Sequence, residues 1–240
     1  MLKRKIPIGI ENYREMIDEN FYYVDKTLMI KELLDSKAKV FLMTRPRRFG
    51  KTLGLSMLQT FFEDARDREG NKIDNLHYFE GKKIMEAEEK YVCHAGKYPV
   101  IKMSLKSAKQ KDFDTAYSCL VGEIAKEYRR HAYVLNTGVL TEKEKQRYMA
   151  IMEGEAEYKQ NSIALMYLSE YLERYHGEPA ILLIDEYDVP LENAWFTGFY
   201  DEMISFIRSL FESALKTNDH LAFAVVTGCL RISKESILRG

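Results

Sequence analysis

Residues 39–58 read KVFLMTRPRRFGKTLGLSML. The stretch opens on a short apolar run, Val40-Phe41-Leu42-Met43, with strand character. Thr44-Arg45-Pro46-Arg47-Arg48-Phe49 follows as a turn-forming segment. Gly50-Lys51-Thr52 then opens a helical apolar pattern at Leu53, Met57, Leu58 and Phe61. Strand, loop and helix in that order, with Gly-Lys-Thr at the helix start, is the context a phosphate-binding loop requires. A helix start offers unpaired N–H groups and a partial positive charge. Gly50 lets backbone approach a phosphate closely, because it has no Cβ. Lys51 can reach the β- and γ-phosphate oxygens as a point charge, and the Thr52 hydroxyl can ligate Mg²⁺. The candidate phosphate-contacting residues are Arg45, Pro46, Arg47, Arg48, Phe49, Gly50, Lys51, Thr52 and Leu53. The loop departs from the general pattern G-x-x-x-x-G-K-[ST], since Arg45 stands where the first Gly belongs. Pro46 biases Arg45 toward an extended backbone, in place of the missing glycine's freedom. The plain alternative is a basic turn before an ordinary amphipathic helix.

A second stretch changes that balance. Ala180-Ile181-Leu182-Leu183-Ile184 is an unbroken apolar run followed by Asp185-Glu186. Such a run reads as a strand buried on both faces, as in parallel sheets flanked by helices. Acids at its C-terminal end lie where open α/β sheets place ligands. Asp185 suits Mg²⁺, which prefers hard oxygen donors. Glu186 suits the orientation or deprotonation of a water attacking a γ-phosphate. Asp188 reads as the cap of the next helix. His220 to Gly228 forms another buried strand, ending at Thr227, with Arg231 shortly after. Thr227 is a candidate polar contact near the γ-phosphate, and Arg231 a candidate contact to phosphate or to a neighbour.

The 240 residues contain 36 Lys plus Arg against 37 Asp plus Glu, so overall charge does not signal a nucleic-acid partner. Hydrophobic residues make up 46%, enough for a buried core and too many for wholesale disorder. Cys93, Cys119 and Cys229 are far apart and in no C-x-x-C pair, which argues against a disulfide framework or zinc site and suits a reducing cytoplasm. No apolar run is long enough to serve as a signal peptide or membrane span.

The remaining chain reads as elements around these motifs. Glu11 to Glu19 predicts a short helix, and Asp25 is expected to cap a helix over Lys26 to Leu34. Ile8-Gly9 and Tyr22-Tyr23 are candidates to hold a nucleotide base. Leu76 to Lys90 predicts a connector and a helix. Its E-x-K spacings, Glu80-Gly81-Lys82 and Glu88-Glu89-Lys90, read as surface charge. Tyr98 to Leu105 predicts a strand with Pro99 at its start. Phe113 to Tyr133 predicts a long amphipathic helix ending in Arg129-Arg130-His131, a charge run expected to be solvated. Thr141 and Glu144 form a capping box, with Gly154 and Gly177 as later helix stops.

With these residues in place, the sequence resembles the bacterial AAA-ATPase-like family of P-loop proteins. Its members often carry a C-terminal PD-(D/E)XK nuclease-like domain. The matching stretches are Ile8-Gly9-Ile10 through Tyr23-Val24-Asp25-Lys26-Thr27, Arg45 to Thr52, Tyr98 to Ile101, Leu183 to Asp188, and Thr227-Gly228 with Arg231 to Lys234. The resemblance implies an α/β fold. The fold so implied is a three-layer P-loop NTPase sandwich, expected to have a mainly parallel sheet of ASCE-type order, helices on both faces and a helical insertion near 112–160. It implies one domain over 1–240, ending before the family's usual C-terminus and without the nuclease-like part. It implies ATP and Mg²⁺ as ligands, with Lys51 and Thr52 on phosphate and metal, Asp185 on metal and Glu186 as base. In ATPases of this class the Val40 strand neighbours the Val225 strand, then the Leu183 strand, then the Val100 strand. A fifth strand beyond residue 240 would flank the Val40 strand, so self-association through that edge is expected.

Several functions fit these residues: an ATPase motor or switch, a nucleotide sensor without turnover that regulates an effector, and a nucleic-acid-associated ATPase using Arg45, Arg47, Arg48, Arg129 and Arg130 on phosphates. Glu186 favours the first and the early chain end the second. A small-molecule kinase fits less well, because the Asp-Glu pair suits water activation.

Overall fold

A computed structural model describes residues 5–229. Four strands form one parallel sheet: β1 (Val40–Thr44), β2 (Val100–Ser104), β3 (Ala180–Asp185) and β4 (Leu221–Gly228), in the order β1-β4-β3-β2. The neighbour order matches the expected one. β3 is buried along its length, as its uninterrupted apolar run predicts.

Alternation along the strands makes three layers. Ile181, Leu183 and Val225 point to one face, where they meet Leu55, Met57, Leu58, Phe61 and Phe62. Leu182, Ile184, Ala224 and Val226 point to the other, against Leu120, Ile124, Leu168 and Phe206. Successive strand side chains must take opposite faces, so one buried strand serves two cores.

The first face is covered by α1 (Tyr13–Asp18), α2 (Met29–Ser36) and α3 (Lys51–Phe62). Asn12 caps α1, accepting from Arg14 N–H at 2.9 Å. Asp25 does not cap α2, which starts later than expected. Its carboxylate instead accepts from Thr27 N–H and Oγ1 and from Lys83 N–H, fastening the lead-in to a distant turn. Residues 76–92 differ from their expected connector and helix. They make two 3₁₀ turns and the one-turn α4 (Glu89–Val92).

Between β2 and β3 the chain passes through α5 (Phe113–Arg130), α6 (Glu142–Glu153), α7 (Tyr158–Asn161) and α8 (Ala164–His176). Thr141 and Glu144 make the capping box at the start of α6, and Gly154 and Gly177 end α6 and α8 with positive φ. After β3 come α9 (Val189–Thr197) and α10 (Tyr200–Phe211), separated at Gly198.

Arg129 and Arg130 are exposed, as the solvated helix end suggested by local sequence requires, but His131 is buried and Arg130 is also held by partners. Arg130 pairs with Glu63 and Glu127 and donates to the Val100 carbonyl. His131 is 3% exposed and also contacts the Val100 carbonyl, while Glu127 accepts from Lys102 N–H at 2.9 Å. The end of α5 thus satisfies backbone groups on the outer edge of β2, which has no neighbouring strand among the described residues.

Candidate nucleotide-binding site

The site lies at the C-terminal ends of the strands, where β1 turns through the loop into α3 and where β3 ends in acids. Arg45 N–H donates to the Gly228 carbonyl at 3.1 Å, extending the β1–β4 pairing into the loop. Arg48 and Gly50 take positive φ, 68° and 76°. The two left-handed residues reverse the chain so that α3 starts at Lys51. Glycine suits Gly50 because a left-handed backbone costs other residues steric strain. The Lys51 ammonium folds back across the loop, donating to the carbonyls of Arg45 at 2.7 Å and Pro46 at 3.2 Å and lying 3.3 Å from Cys229 Sγ.

The acidic side is tightly bonded. Thr52 Oγ1 donates to Asp185 Oδ2 at 2.6 Å. Thr227 Oγ1 and Glu186 N–H both donate to Asp185 Oδ1. Asp185 therefore accepts from three elements: the start of α3, the end of β4 and its own following residue. Asp188 stands at the N-cap position of α9 without a capping hydrogen bond. Its Oδ2 instead accepts from Cys229 N–H at 2.7 Å, which pins the end of β4. Gly228 allows this closeness. A Cβ there would lie 2.5 Å from the Tyr187 ring and 2.7 Å from Asp188 Oδ1.

Glu186 is half-buried, with φ of +53°. Burial raises its carboxyl above the usual range; Asp185 and Asp188 add to this as like charges, and Lys106 and Lys51 oppose it. A raised pKa makes a carboxylate a better proton acceptor.

Two cavities meet at this point. One, of about 1170 Å³, is bordered by Arg47, Arg48, Gly50, Lys51, Thr52 and Leu53 on one side and by Glu186, Asp188 and Cys229 on the other. Its apolar part comes from Pro7, Ile8, Ile10, Val189 and Phe196. The second, of about 640 Å³, is bordered by Thr52, Asp185 and Glu186 and runs between α3 and β2. Thr52, Glu186 and Lys106 border both. The structure thus brings Lys51, Thr52, Asp185 and Glu186 around one cleft.

Other expected residues stand apart. Arg45, Pro46 and Phe49 do not border either cavity. Thr227 is fully buried and reaches the cleft only through Asp185. Tyr22 and Tyr23 border neither cavity, unlike Ile8 and Gly9. Tyr23 packs edge-on to Tyr13, with ring centroids 5.4 Å apart. Arg231 and the stretch to Lys234 lie outside the described residues. Sequence reasoning missed Lys106 and Lys109, which border the larger cavity just beyond β2. The rule that open sheets bind ligands past their carboxyl ends could have found them.

The residues suit a nucleotide–Mg²⁺ pair. Thr52 and Asp185 put two hard oxygen donors 2.6 Å apart at the helix start. No cluster of three or more His, Cys, Asp or Glu suited to a metal occurs among the described residues. Mg²⁺ keeps waters and takes one or two protein oxygens beside phosphates.

The family model described as Predicted AAA-ATPase matches residues 7–238. The chain belongs to the AAA-ATPase-like family. A relative of this AAA-ATPase-like chain occurs in Azotobacter chroococcum mcd 1, named as an uncharacterized protein in the vnfD 5' region. It is 27% identical over 245 residues, covering 100% of the present chain and 40% of the relative. The chain therefore spans about 40% of the length of that curated relative. No solved structure matches the chain. Among the described residues, no helix is long and apolar enough to cross a membrane.

Proposed function

We propose that this chain binds Mg-ATP in the Lys51–Glu186 cleft and hydrolyses it to drive or switch an attached or partner effector. The observation that carries the reading is the convergence of the loop ammonium, the Thr52–Asp185 oxygen pair and the half-buried Glu186 carboxylate. We read residues 1–240 as one P-loop domain of ASCE-type order, with a helical insertion near 112–160.

In this reading the α3 N–H groups and the Lys51 ammonium bind the phosphates. Lys51 exchanges its two loop carbonyls for phosphate oxygens. Thr52 and Asp185 hold Mg²⁺, which when bound neutralises charge on the β- and γ-phosphates. Glu186 orients a water and takes its proton. The water oxygen bonds to the γ-phosphorus as the bond to the bridging oxygen breaks, and the electron pair leaves on ADP. Thr227 fixes Asp185 from behind. The apolar part of the larger cavity, with Ile8 and Phe196, suits a base. Sheet-edge association through β1 belongs to the same reading, and sedimentation at rising concentration tests it.

The deciding experiment is titration of Mg-ATP together with phosphate release, on wild type and Glu186→Gln. Wild type is expected to bind and turn over. The variant is expected to bind but lose about 10²–10⁴-fold in turnover. Wild-type binding without turnover would leave a nucleotide sensor, and absence of binding would end the reading.

A further inference from the structure

Helix α3 carries a second pattern besides its apolar side. Thr52, Ser56, Gln59, Thr60 and Glu63 recur at helical spacing and share one face. A polar stripe on a surface helix normally faces water. Here it borders a cavity of about 640 Å³ against β2, and Ser56, Thr60 and Glu63 are 5%, 3% and 5% exposed. Strand β2 faces it with matching chemistry. Ile101 and Met103 point into the opposite core, so Lys102 and Ser104 take the α3 side. Lys102 pairs in register with Leu183, and Ser104 with Asp185. Lys102 is therefore two residues deeper than the acidic end, inside the same chamber.

Three of the chamber's other cations, Arg14, Arg66 and Arg130, are paired with carboxylates, while the Lys106 ammonium, near Glu186, makes no ion pair among the described residues. Arg130 is paired with Glu63 and Glu127, and Arg66 with Asp64. Ser56 Oγ accepts from Tyr13 N–H, Thr60 Oγ1 donates to the Ser56 carbonyl, and Gln59 donates to Glu63. The Lys102 ammonium makes no hydrogen bond and no ion pair among the described residues; only its backbone N–H is engaged. Burial pushes its pKa down, with Asp185, Glu127 and Glu63 opposing. A partly buried cation with three donors and no protein acceptor is left to water or to an entering anion for its hydrogen bonds.

We propose that this chamber is a second anion site, which takes a phosphate-sized oxyanion on Lys102 from the Asp185–Glu186 end. The site itself stands on the chamber's geometry. Its supply rests on the Mg-ATP reading: orthophosphate cut from ATP beside Glu186 passes into the chamber before leaving. Bulk phosphate has the same chemistry, and the test separates the two sources.

Inorganic phosphate is titrated into wild type, Lys102→Met, Lys102→Arg and Lys51→Met. Methionine keeps the apolar stem and removes a buried charge, so the variant is expected to fold; Lys102→Gln is the second variant should it not. Lys102→Met should weaken phosphate at least about tenfold, the loss expected for a charge-assisted hydrogen bond. Lys102→Arg should retain it, and so should Lys51→Met. Equal affinity in wild type and Lys102→Met would overturn the proposal, as would no phosphate binding by wild type. Loss in Lys51→Met alone would also overturn it, by putting the phosphate on the loop, and would leave the nucleotide reading intact. Phosphate binding that needs Lys102 in a protein unable to bind ATP would uphold the chamber and reject the nucleotide reading. In a single turnover, Lys102→Met should shorten the lag between cleavage by acid quench and release by a phosphate sensor. An unchanged lag would overturn the passage of cleaved phosphate.

Discussion

The two walls of the cleft are built on opposite plans. On the loop wall, residues 44–50 are all exposed, and the Lys51 ammonium is held by loop carbonyls and one thiol. On the acidic wall, Asp185, Tyr187 and Asp188 are 3%, 1% and 1% exposed, and both aspartates accept hydrogen bonds from other elements. Each wall has one glycine at a tight point, Gly50 and Gly228. Each also has one non-glycine residue with positive φ, Arg48 and Glu186. The difference follows from charge. Buried carboxylates must be satisfied before any ligand arrives, because leaving them unpaired costs more than the fold can bear. The exposed loop arginines have water as an alternative partner, and the buried Lys51 ammonium is held by neutral loop carbonyls that phosphate oxygens can replace.

The glycines give the largest test of this contrast. Gly228→Ala pushes a methyl against the Tyr187 ring and the Asp188 carboxylate, 2.5 and 2.7 Å away. It should cost about 1–3 kcal/mol, as overpacking does. Gly50→Ala meets only Lys26 Nζ at 3.9 Å. It should cost about 1 kcal/mol from left-handed strain alone, while weakening phosphate binding. Urea unfolding of both variants checks this. A Gly50→Ala cost equal to or above that of Gly228→Ala would remove the distinction between the walls.

Acid should act next, at the opposite end of the strands from the acidic wall. His131 Nδ1 contacts Tyr133 OH at 2.9 Å, which contacts His176 Nε2 at 2.9 Å; His176 Nδ1 contacts Asp64 at 2.7 Å. Burial pushes both histidines below the usual imidazole range, Arg130 and His176 adding to it at His131 and Arg66 at His176; Asp64 opposes it at His176. Both are neutral in the fold, and the unfolded chain binds more protons below pH ~6.5. Stability is thus full above that pH and falls as pH drops, by up to about 1.4 kcal/mol per pH unit for each histidine. Thermal melts from pH 7.5 to 5.5 should show the decline, with a shallower slope in His131→Gln. An unchanged slope would remove His131 as a cause.

Much of this architecture was legible because it is local. The run from Ala180 to Ile184 read as a doubly buried strand, and Thr141 with Glu144 marked a helix start; the structure contains both. Lys51, Thr52, Asp185 and Glu186 stood out by motif spacing, and the parallel order brings them around one cleft. What escaped depends on partners far along the chain. The Arg130–Glu63 pair escaped because the two residues are 67 positions apart. Asp188 looked like a helix cap because Cys229, 41 residues later, was not yet beside it. Lys102 carried no signal of its own within the Tyr98–Leu105 strand. Its isolation appears only once α3 lays a polar stripe over β2.

The smallest effects should come from the two strained residues, and their difference is the informative quantity. Arg48→Gly relieves a left-handed non-glycine residue, worth about 1 kcal/mol. It also frees the unfolded chain, which costs about 0.4–1 kcal/mol. The loop is exposed and Arg48 makes no buried contact, so the two terms should nearly cancel, leaving stability within about 0.5 kcal/mol of wild type. Glu186→Gly has the same backbone balance but also removes a half-buried carboxylate from beside Asp185 and Asp188, whose charges oppose its ionisation. It should therefore be the more stable of the two variants while losing phosphate release. Denaturant midpoints compared at pH 7 measure the gap. A larger gain from Arg48→Gly would place the stored strain on the loop and reverse the assignment of the rigid and adaptable walls.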